Sequence, residues 1–172
     1  LNLSSQAVNL PLYNFLLHCW IQIFGTDISF IRTLSFLLFV ATLPILYLFA
    51  KEASERKVAI ITVILFAFSP FILWYTSEAR MYTLFTFVTS LNHLYFLRVL
   101  RSNGAKYKFG YFISLLLGFY THYFFLFLVL TQAIFMLVQW ILAGIHDKSE
   151  GSLIKRMLPN ARLPLIIYSV MG

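Results

Sequence analysis

Charge is scarce in this sequence. Only 11% of its 172 residues are Asp, Glu, Lys or Arg, whereas a soluble domain carries roughly 25%. So few charged side chains cannot cover a water-exposed surface. The apolar residues make up 60% of the chain and occur in long runs. The composition therefore excludes an ordinary soluble domain and predicts an all-α polytopic membrane protein.

Cysteine is nearly absent, and acidic residues are outnumbered. The single cysteine, Cys19, excludes a disulfide within the chain. No second His or Cys lies at ligand spacing, so no metal site is predicted, although a requirement for a divalent cation stays open. The formal net charge is +7, but the Lys and Arg residues sit in short clusters between apolar runs. That distribution argues against a nucleic-acid partner and for a lipid bilayer.

The first helical segment, Leu10 to Phe24, is too short and too polar to span a bilayer. Asn14, His18 and Gln22 recur every four residues and share one face. We therefore predict an interfacial helix that lies along the membrane surface and ends at Gly25.

Three apolar runs then follow, each about long enough to span. They are Ile28–Ala50, Val58–Tyr75 and Met81–Leu100. Pro44 predicts a kink in the first run, and Ser69-Pro70 predicts one near the end of the second.

The run from Phe109 to Ile145 is long for one span and short for two. Both of its flanks are basic, so the positive-inside rule places both in the cytoplasm and the run must cross twice. Its only polar interruption is Gly118–Tyr123, where we predict that the chain turns back. A helix rises 1.5 Å per residue, so we expect His122 to lie below the outer surface of the hydrocarbon core, facing a cavity.

The same rule orients the protein. Only Arg32 and Arg80 fall on the extracytoplasmic side in this topology. The other cations all fall in the cytoplasm: Lys51, Arg56, Lys57, Arg98, Arg101, Lys106, Lys108, Lys148, Lys155, Arg156 and Arg162.

The two ends of the sequence indicate a piece of a longer protein. The chain begins at Leu1 without an initiator Met, and its last apolar run, Leu163–Met171, is about half a span long. We expect one transmembrane domain over residues 1–172. Residues 1–27 would form an extracytoplasmic loop with the interfacial helix, and residues 28–172 about five spans, the last of them truncated.

Two places carry residues suited to chemistry. Glu78 and Arg80 lie at an extracytoplasmic turn, where a carboxylate can act as a base and an Arg can hold a phosphate. On the pattern alone, an incidental ion pair in a solvated loop is the simpler interpretation. His122 at membrane depth could bind a phosphate, ligate a metal or bond a neighbouring carbonyl. Asn92 and His93 are adequately explained by hydrogen bonds between helices.

Three strings resemble one family of enzymes. They are Asn9-Leu10-Pro11-Leu12-Tyr13, then Ser69-Pro70 with Trp74-Tyr75-Thr76-Ser77-Glu78-Ala79-Arg80-Met81-Tyr82, and Thr121-His122-Tyr123. Their order and spacing are similar to those of bacterial protein-mannosyltransferase-like and aminoarabinose-transferase-like glycosyltransferases. Asn9 and Leu10 replace the His and Pro that are usual in the first string.

This resemblance implies a GT-C type transmembrane helix bundle in the bacterial plasma membrane. It implies transfer of a sugar from a polyprenyl-phosphate donor to a lipid, protein or polysaccharide acceptor on the extracytoplasmic face. Glu78 matches the family's second acidic residue and is the predicted catalytic residue of this chain, which we assign to the acceptor or to site organisation. The usual catalytic Asp would precede Leu1, so we expect the 172 residues alone to be inactive. Arg80 and His122 are assigned to the lipid phosphate, and Tyr13, Tyr82 and Tyr123 complete the substrate-binding residues.

Two other classes of protein fit parts of the pattern. A membrane transporter also uses broken helices with a polar residue at depth, and it would show a matching break in an inverted second half. A non-catalytic scaffold would leave Glu78, Arg80 and His122 facing headgroups separately.

Overall fold

The computed structural model describes residues 11–149 apart from residues 79 and 103, with side chains up to residue 142. All regular secondary structure in this part of the chain is helical. Seven helices follow in order: α1 Pro11–Phe24, α2 Ile28–Ala53, α3 Arg56–Ala67, α4 Pro70–Ser77, α5 Tyr82–Arg101, α6 Ala105–Thr121 and α7 Phe125–Ser149.

Helix α1 has the two faces that its sequence predicts. Asn14, His18 and Gln22 are exposed, and the His18 ring lies 2.9 Å from the Gln22 amide nitrogen. Tyr13, on another face, is buried. Gly25 ends the helix with φ at 92°, a conformation that glycine adopts without steric cost. The helix is confirmed, and its place at the membrane surface stays a prediction.

Helix α2 begins at a side-chain cap and runs past its predicted end at Ala50. The Asp27 carboxylate accepts a 2.9 Å hydrogen bond from the Ser29 amide, which satisfies one of the free N–H groups of the first turn. Pro44 lies inside the helix. Because the helix continues to Ala53, Glu52 belongs to its last turn and is presented toward a neighbouring helix.

The second predicted span is two helices, α3 and α4, bent by 52° at the break. Pro70 occupies the first turn of α4, where its missing N–H costs nothing, and Ser69 before it is extended. The predicted kink at Ser69-Pro70 is therefore confirmed, and it is a complete interruption of the helix.

Length and composition give fewer spans than the apolar runs suggest. In the described chain, α2 and the Phe125–Leu142 part of α7 are long and apolar enough to cross a membrane, and α3 with α4 adds a third if the bent pair counts as one. Helix α6 has 17 residues. Helix α5 has 20 but is rich in polar residues. The bundle is helical as predicted, and the number of five spans stays a prediction.

Helix α5 is the central helix, packed against both α2 and α6. Its polar residues Thr83 and Asn92 are buried inside the bundle, whereas large apolar side chains on α2, α6 and α7 are exposed. In a membrane protein this is the expected distribution, because the outer face meets lipid and polar groups need protein partners. The polarity of α5 thus follows from its central position.

A closed set of hydrogen bonds fastens α5, α6 and α7 together. The Asn92 amide donates to Ser114 Oγ at 3.0 Å, and the Gln132 amide donates to Asn92 Oδ1 at 2.8 Å. The Tyr111 hydroxyl donates to Gln132 Oε1 at 2.7 Å, and the Ser114 hydroxyl donates to the Tyr111 carbonyl at 2.8 Å. This confirms the helix-to-helix role expected of Asn92. His93 bonds within its own helix, to the Thr89 carbonyl.

Replacing Asn92 by Leu should destabilise this bundle by about 1–2 kcal/mol, because the Gln132 amide loses its buried acceptor. Unfolding in mixed micelles with increasing dodecyl sulfate would measure the change. Thr131→Val is a matched control, since Thr131 is exposed and bonds only to the Phe127 carbonyl of its own helix. Equal midpoints for wild type and Asn92→Leu would show that the network does not stabilise the fold.

The turn between α6 and α7 falls inside the predicted Gly118–Tyr123 interruption. Helix α6 ends at Thr121 and α7 begins at Phe125. The Phe125 side chain is fully buried and lies across Gly118, where an added Cβ would overlap its ring. Only a glycine lets the ring approach this closely, so Gly118 allows the chain to double back on itself.

Candidate functional site

The Glu78–Arg80 turn joins α4 to α5. Arg80 Nε lies 3.6 Å from Glu78 Oε2, and the Arg80 amide donates to the Glu78 carbonyl at 2.9 Å. The side chains are 65% and 32% exposed, respectively. An ion pair this exposed contributes little to stability. The ion pair instead places a carboxylate and a guanidinium side by side at the surface of the bundle, where both can bind a ligand.

Ser35 of α2 contacts this turn from the interior of the bundle. Its side chain is fully buried, and its hydroxyl donates to the Glu78 carbonyl at 3.3 Å. The sequence reasoning missed Ser35, since it lies among apolar residues of α2 and its partner is 43 positions away. No local pattern could have revealed this contact.

Tyr13 places α1 next to the same turn. Its side chain is only 4% exposed, and within the described residues its hydroxyl has no partner in hydrogen-bond geometry. Burial raises the pKa of Tyr13, and the nearby Ser35 hydroxyl only partly offsets this. Tyr13 is therefore a neutral hydroxyl with unused hydrogen-bonding capacity close to the Glu78 backbone.

An apolar cleft of about 280 Å³ lies beside the turn, between α2, α3, α4 and α5. Tyr75 and Tyr82 line it, with their rings in edge contact at 4.5 Å between centroids. Its other aromatic walls are Phe39, Phe66, Phe71 and Phe85. Tyr75 and Tyr82 also flank the Glu78–Arg80 turn in sequence, so the cleft lies next to the turn, although neither Glu78 nor Arg80 lines it.

His122 caps the end of α6 within an aromatic shell. It is 6% exposed, and the centroids of the Phe85, Tyr123 and Phe124 rings lie 5.3, 4.5 and 4.8 Å from that of its ring. Its Nδ1 accepts a 3.1 Å hydrogen bond from the Phe124 amide. An accepting Nδ1 carries no proton, so the neutral ring is protonated at Nε2. Nε2–H is then the donor that His122 can offer a ligand.

The predicted site residues are thus brought together in two groups. Glu78 and Arg80 form an ion pair, and Ser35, which lies near Tyr13, donates to the Glu78 carbonyl. Tyr82 begins α5 two residues after Arg80. His122 and the half-exposed Tyr123 form the second group. Phe85 connects the groups, because its ring packs on His122 and also lines the apolar cleft. Within the described chain, no hydrogen bond or ion pair joins His122 to Glu78 or Arg80.

Across residues 11–142, where side chains are described apart from residues 79 and 103, His, Cys, Asp and Glu nowhere form a group of three that could hold a metal ion.

The site therefore combines an exposed carboxylate and cation with an imidazole donor and an apolar cleft. The sequence model of one family, described as dolichyl-phosphate-mannose-protein mannosyltransferase, matches residues 8–152. The chain belongs to this mannosyltransferase family. The match confirms the resemblance drawn from the three strings and covers every candidate site residue, from Tyr13 to Tyr123. No curated protein and no solved structure matches the chain.

Membership of the mannosyltransferase family assigns the protein to the integral membrane glycosyltransferases that use a lipid-linked sugar donor. The transporter alternative receives no support from the family.

Proposed function

We propose that the full-length protein transfers a sugar from a polyprenyl-phosphate donor to a lipid, protein or polysaccharide acceptor on the extracytoplasmic face of the bacterial plasma membrane. The observation that carries this proposal is the apolar cleft beside the Glu78–Arg80 turn. A polyprenyl-phosphate sugar needs these two environments side by side.

In the proposed reaction, the acceptor oxygen forms a bond to the anomeric carbon while the bond from that carbon to the phosphate oxygen breaks. The lipid phosphate leaves with the electron pair, and the acceptor proton goes to a carboxylate base. Arg80, 65% exposed, binds the departing phosphate, whose growing negative charge it stabilises. Glu78 accepts a hydrogen bond from the acceptor hydroxyl and holds Arg80 in place.

The remaining site residues serve the donor. Tyr82 lines the cleft, where the first isoprene units of the carrier would pack against the aromatic walls. His122 donates from Nε2 to a phosphate oxygen, and Tyr123 beside it is exposed to the donor. The Tyr13 hydroxyl is buried and unpartnered within the described residues, so it reaches the sugar or the acceptor only when α1 shifts away from the turn.

The direct test is a transfer assay with membranes that hold the full-length protein. We expect label to move from a polyprenyl-phosphate sugar to an acceptor, and no label to move from the matching nucleotide sugar. Membranes without the protein are the control. Uptake of labelled sugar into sealed vesicles, without covalent transfer, would instead favour a transporter.

His122→Asn gives a sharper test of one role. The Asn side-chain oxygen can take the place of Nδ1 and keep the bond to the Phe124 amide, while the Nε2 donor is lost. We expect the KM for the donor to rise about tenfold or more, the usual cost of losing a hydrogen bond to a charged group. His122→Gln, which restores a donor near Nε2, should recover part of the loss. An unchanged donor KM in His122→Asn would reduce His122 to a structural cap.

A further inference from the structure

A second cleft, of about 530 Å³, opens at the opposite end of α5. The last turns of α2 and α5 and the first turn of α6 form it, and its lining consists of Glu52, Tyr95, Arg98, Arg101, Ser102, Lys106 and Tyr107. Helix α5 has 20 residues, so this basic cleft is about 30 Å from the Glu78–Arg80 turn at 1.5 Å per residue. It is therefore separate from the candidate site.

One side of the basic cleft is built by a rigid ion pair. Arg98 Nε and Nη2 both donate to Glu52 Oε1, at 2.9 and 2.6 Å, and the two side chains are about a quarter exposed. The Arg98 guanidinium also lies 5.8 Å from the centroid of the Tyr107 ring. Glu52 is thus paired with Arg98 and does not neutralise the other cations of the cleft.

Two further cations complete the lining. Arg101 and Lys106 are exposed, and within the described residues neither makes an ion pair. Lys106 Nζ lies 4.8 Å from the centroid of the Tyr107 ring, which restricts the ammonium group to the cleft by a cation–π contact. The cleft therefore holds three cations and a single carboxylate, Glu52, which is already paired with Arg98. This excess of positive charge suits an anionic ligand.

An apolar stripe leads away from the basic cleft along α6. Phe109, Ile113 and Leu116 follow Lys106 at helical spacing and share its face. All three are exposed, with Phe109 at 67%. A ligand that filled the cleft and also covered this stripe would need an anionic head and an apolar tail.

We propose that the basic cleft binds the phosphate headgroup of an anionic phospholipid, with one acyl chain along Phe109, Ile113 and Leu116. The predicted orientation places this end of the bundle in the cytoplasmic leaflet, where anionic lipids are attracted to basic segments. The continuity of cleft and stripe favours a lipid over a soluble phosphate, which would leave the stripe uncovered.

The test uses purified full-length protein in neutral detergent, titrated with a fluorescent short-chain phosphatidylglycerol. A Lys or Arg that contacts an anionic headgroup contributes about fivefold to affinity. The double variant Arg101→Gln, Lys106→Gln should therefore bind about 25-fold more weakly, and each single variant about fivefold. The matched control is Arg56→Gln, Lys108→Gln, which removes two exposed cations from the same end outside the lining. We expect this control to bind within twofold of wild type.

Three results would overturn the proposal. Equal losses in the two double variants would show that overall charge, and not the cleft, attracts the lipid. Equal affinity of the wild type for phosphatidylcholine would show no recognition of negative charge. Displacement of the lipid by glycerol phosphate or inorganic phosphate at the concentrations at which the lipid itself binds would assign the cleft to a soluble phosphate compound. Melting temperatures of all variants, expected to equal that of wild type because the substituted side chains are exposed, check that binding losses are not unfolding.

Discussion

Transfer from a polyprenyl-phosphate sugar should fall about 100-fold when Glu78 is replaced by Gln in the full-length protein. Gln keeps the size of the side chain and the backbone carbonyl that accepts from Ser35. It loses the negative charge that orients the acceptor hydroxyl and holds Arg80. Misplacement or loss of one such positioning group typically costs this factor in rate. The measurement is the initial rate of label transfer at equal amounts of membrane-inserted protein.

Glu55→Gln is the matched control for this experiment. Glu55 is an exposed carboxylate at the start of α3, near the opposite end of the bundle, and its side chain makes no capping hydrogen bond. We expect it to transfer sugar at the wild-type rate. If Glu78→Gln retained full activity as well, Glu78 would be a loop residue, and the proposed arrangement of acceptor and donor around the turn would be wrong.

Gly118→Ala should strongly destabilise the described bundle. The new Cβ would overlap the buried Phe125 ring, so the ring or the start of α7 must move. Overpacking of this kind costs about 3 kcal/mol. The same displacement would move His122, which lies between the two residues in sequence, so we also expect loss of transfer activity. Thermal unfolding in detergent measures the first effect, and the transfer assay the second.

A double-mutant cycle shows whether Gly118→Ala is destabilising because its Cβ overlaps the Phe125 ring, or because position 118 accepts no side chain for another reason. Phe125→Ala alone should cost about 3–5 kcal/mol, because it leaves a cavity. Adding Gly118→Ala to Phe125→Ala should cost little, since the ring that it would strike is gone. Additive losses would mean that the Gly118–Phe125 contact is not the reason for the glycine.

The helices were predictable because each depends on its own sequence. Pro70 begins a helix because it lacks an N–H, and Gly25 ends one because it adopts a positive φ, so both boundaries depend on local backbone geometry. The turn at Gly118–Tyr123 followed from the length of the apolar run and the charges on its flanks. Helix ends were less accurate, as at α6, which begins at Ala105 and includes Lys106 and Lys108 in its first turn. Counting apolar residues misses such a turn, because its charged side chains extend into water.

The assembly of the site was not predictable in the same way. Ser35 and Glu78 are 43 positions apart, and Phe85 links His122 to the apolar cleft although its own sequence context is ordinary. Such contacts depend on how α2, α5 and α6 pack. The three strings identified residues that matter, but their spacing alone did not reveal which would lie together. The basic cleft illustrates the same limit, since Arg98 and Glu52 meet across 46 positions.

The central place of α5 has a consequence for how the protein is made. In the proposed topology this helix crosses the membrane, yet Asn92 and Thr83 would be costly in contact with lipid alone. Asn92 finds its partners on α6 and α7, which are synthesised later. We therefore expect α5 to insert stably only after α6 has emerged, with the early helices kept from lipid until then. The helix that organises the finished bundle would thus be among the last to settle in the bilayer.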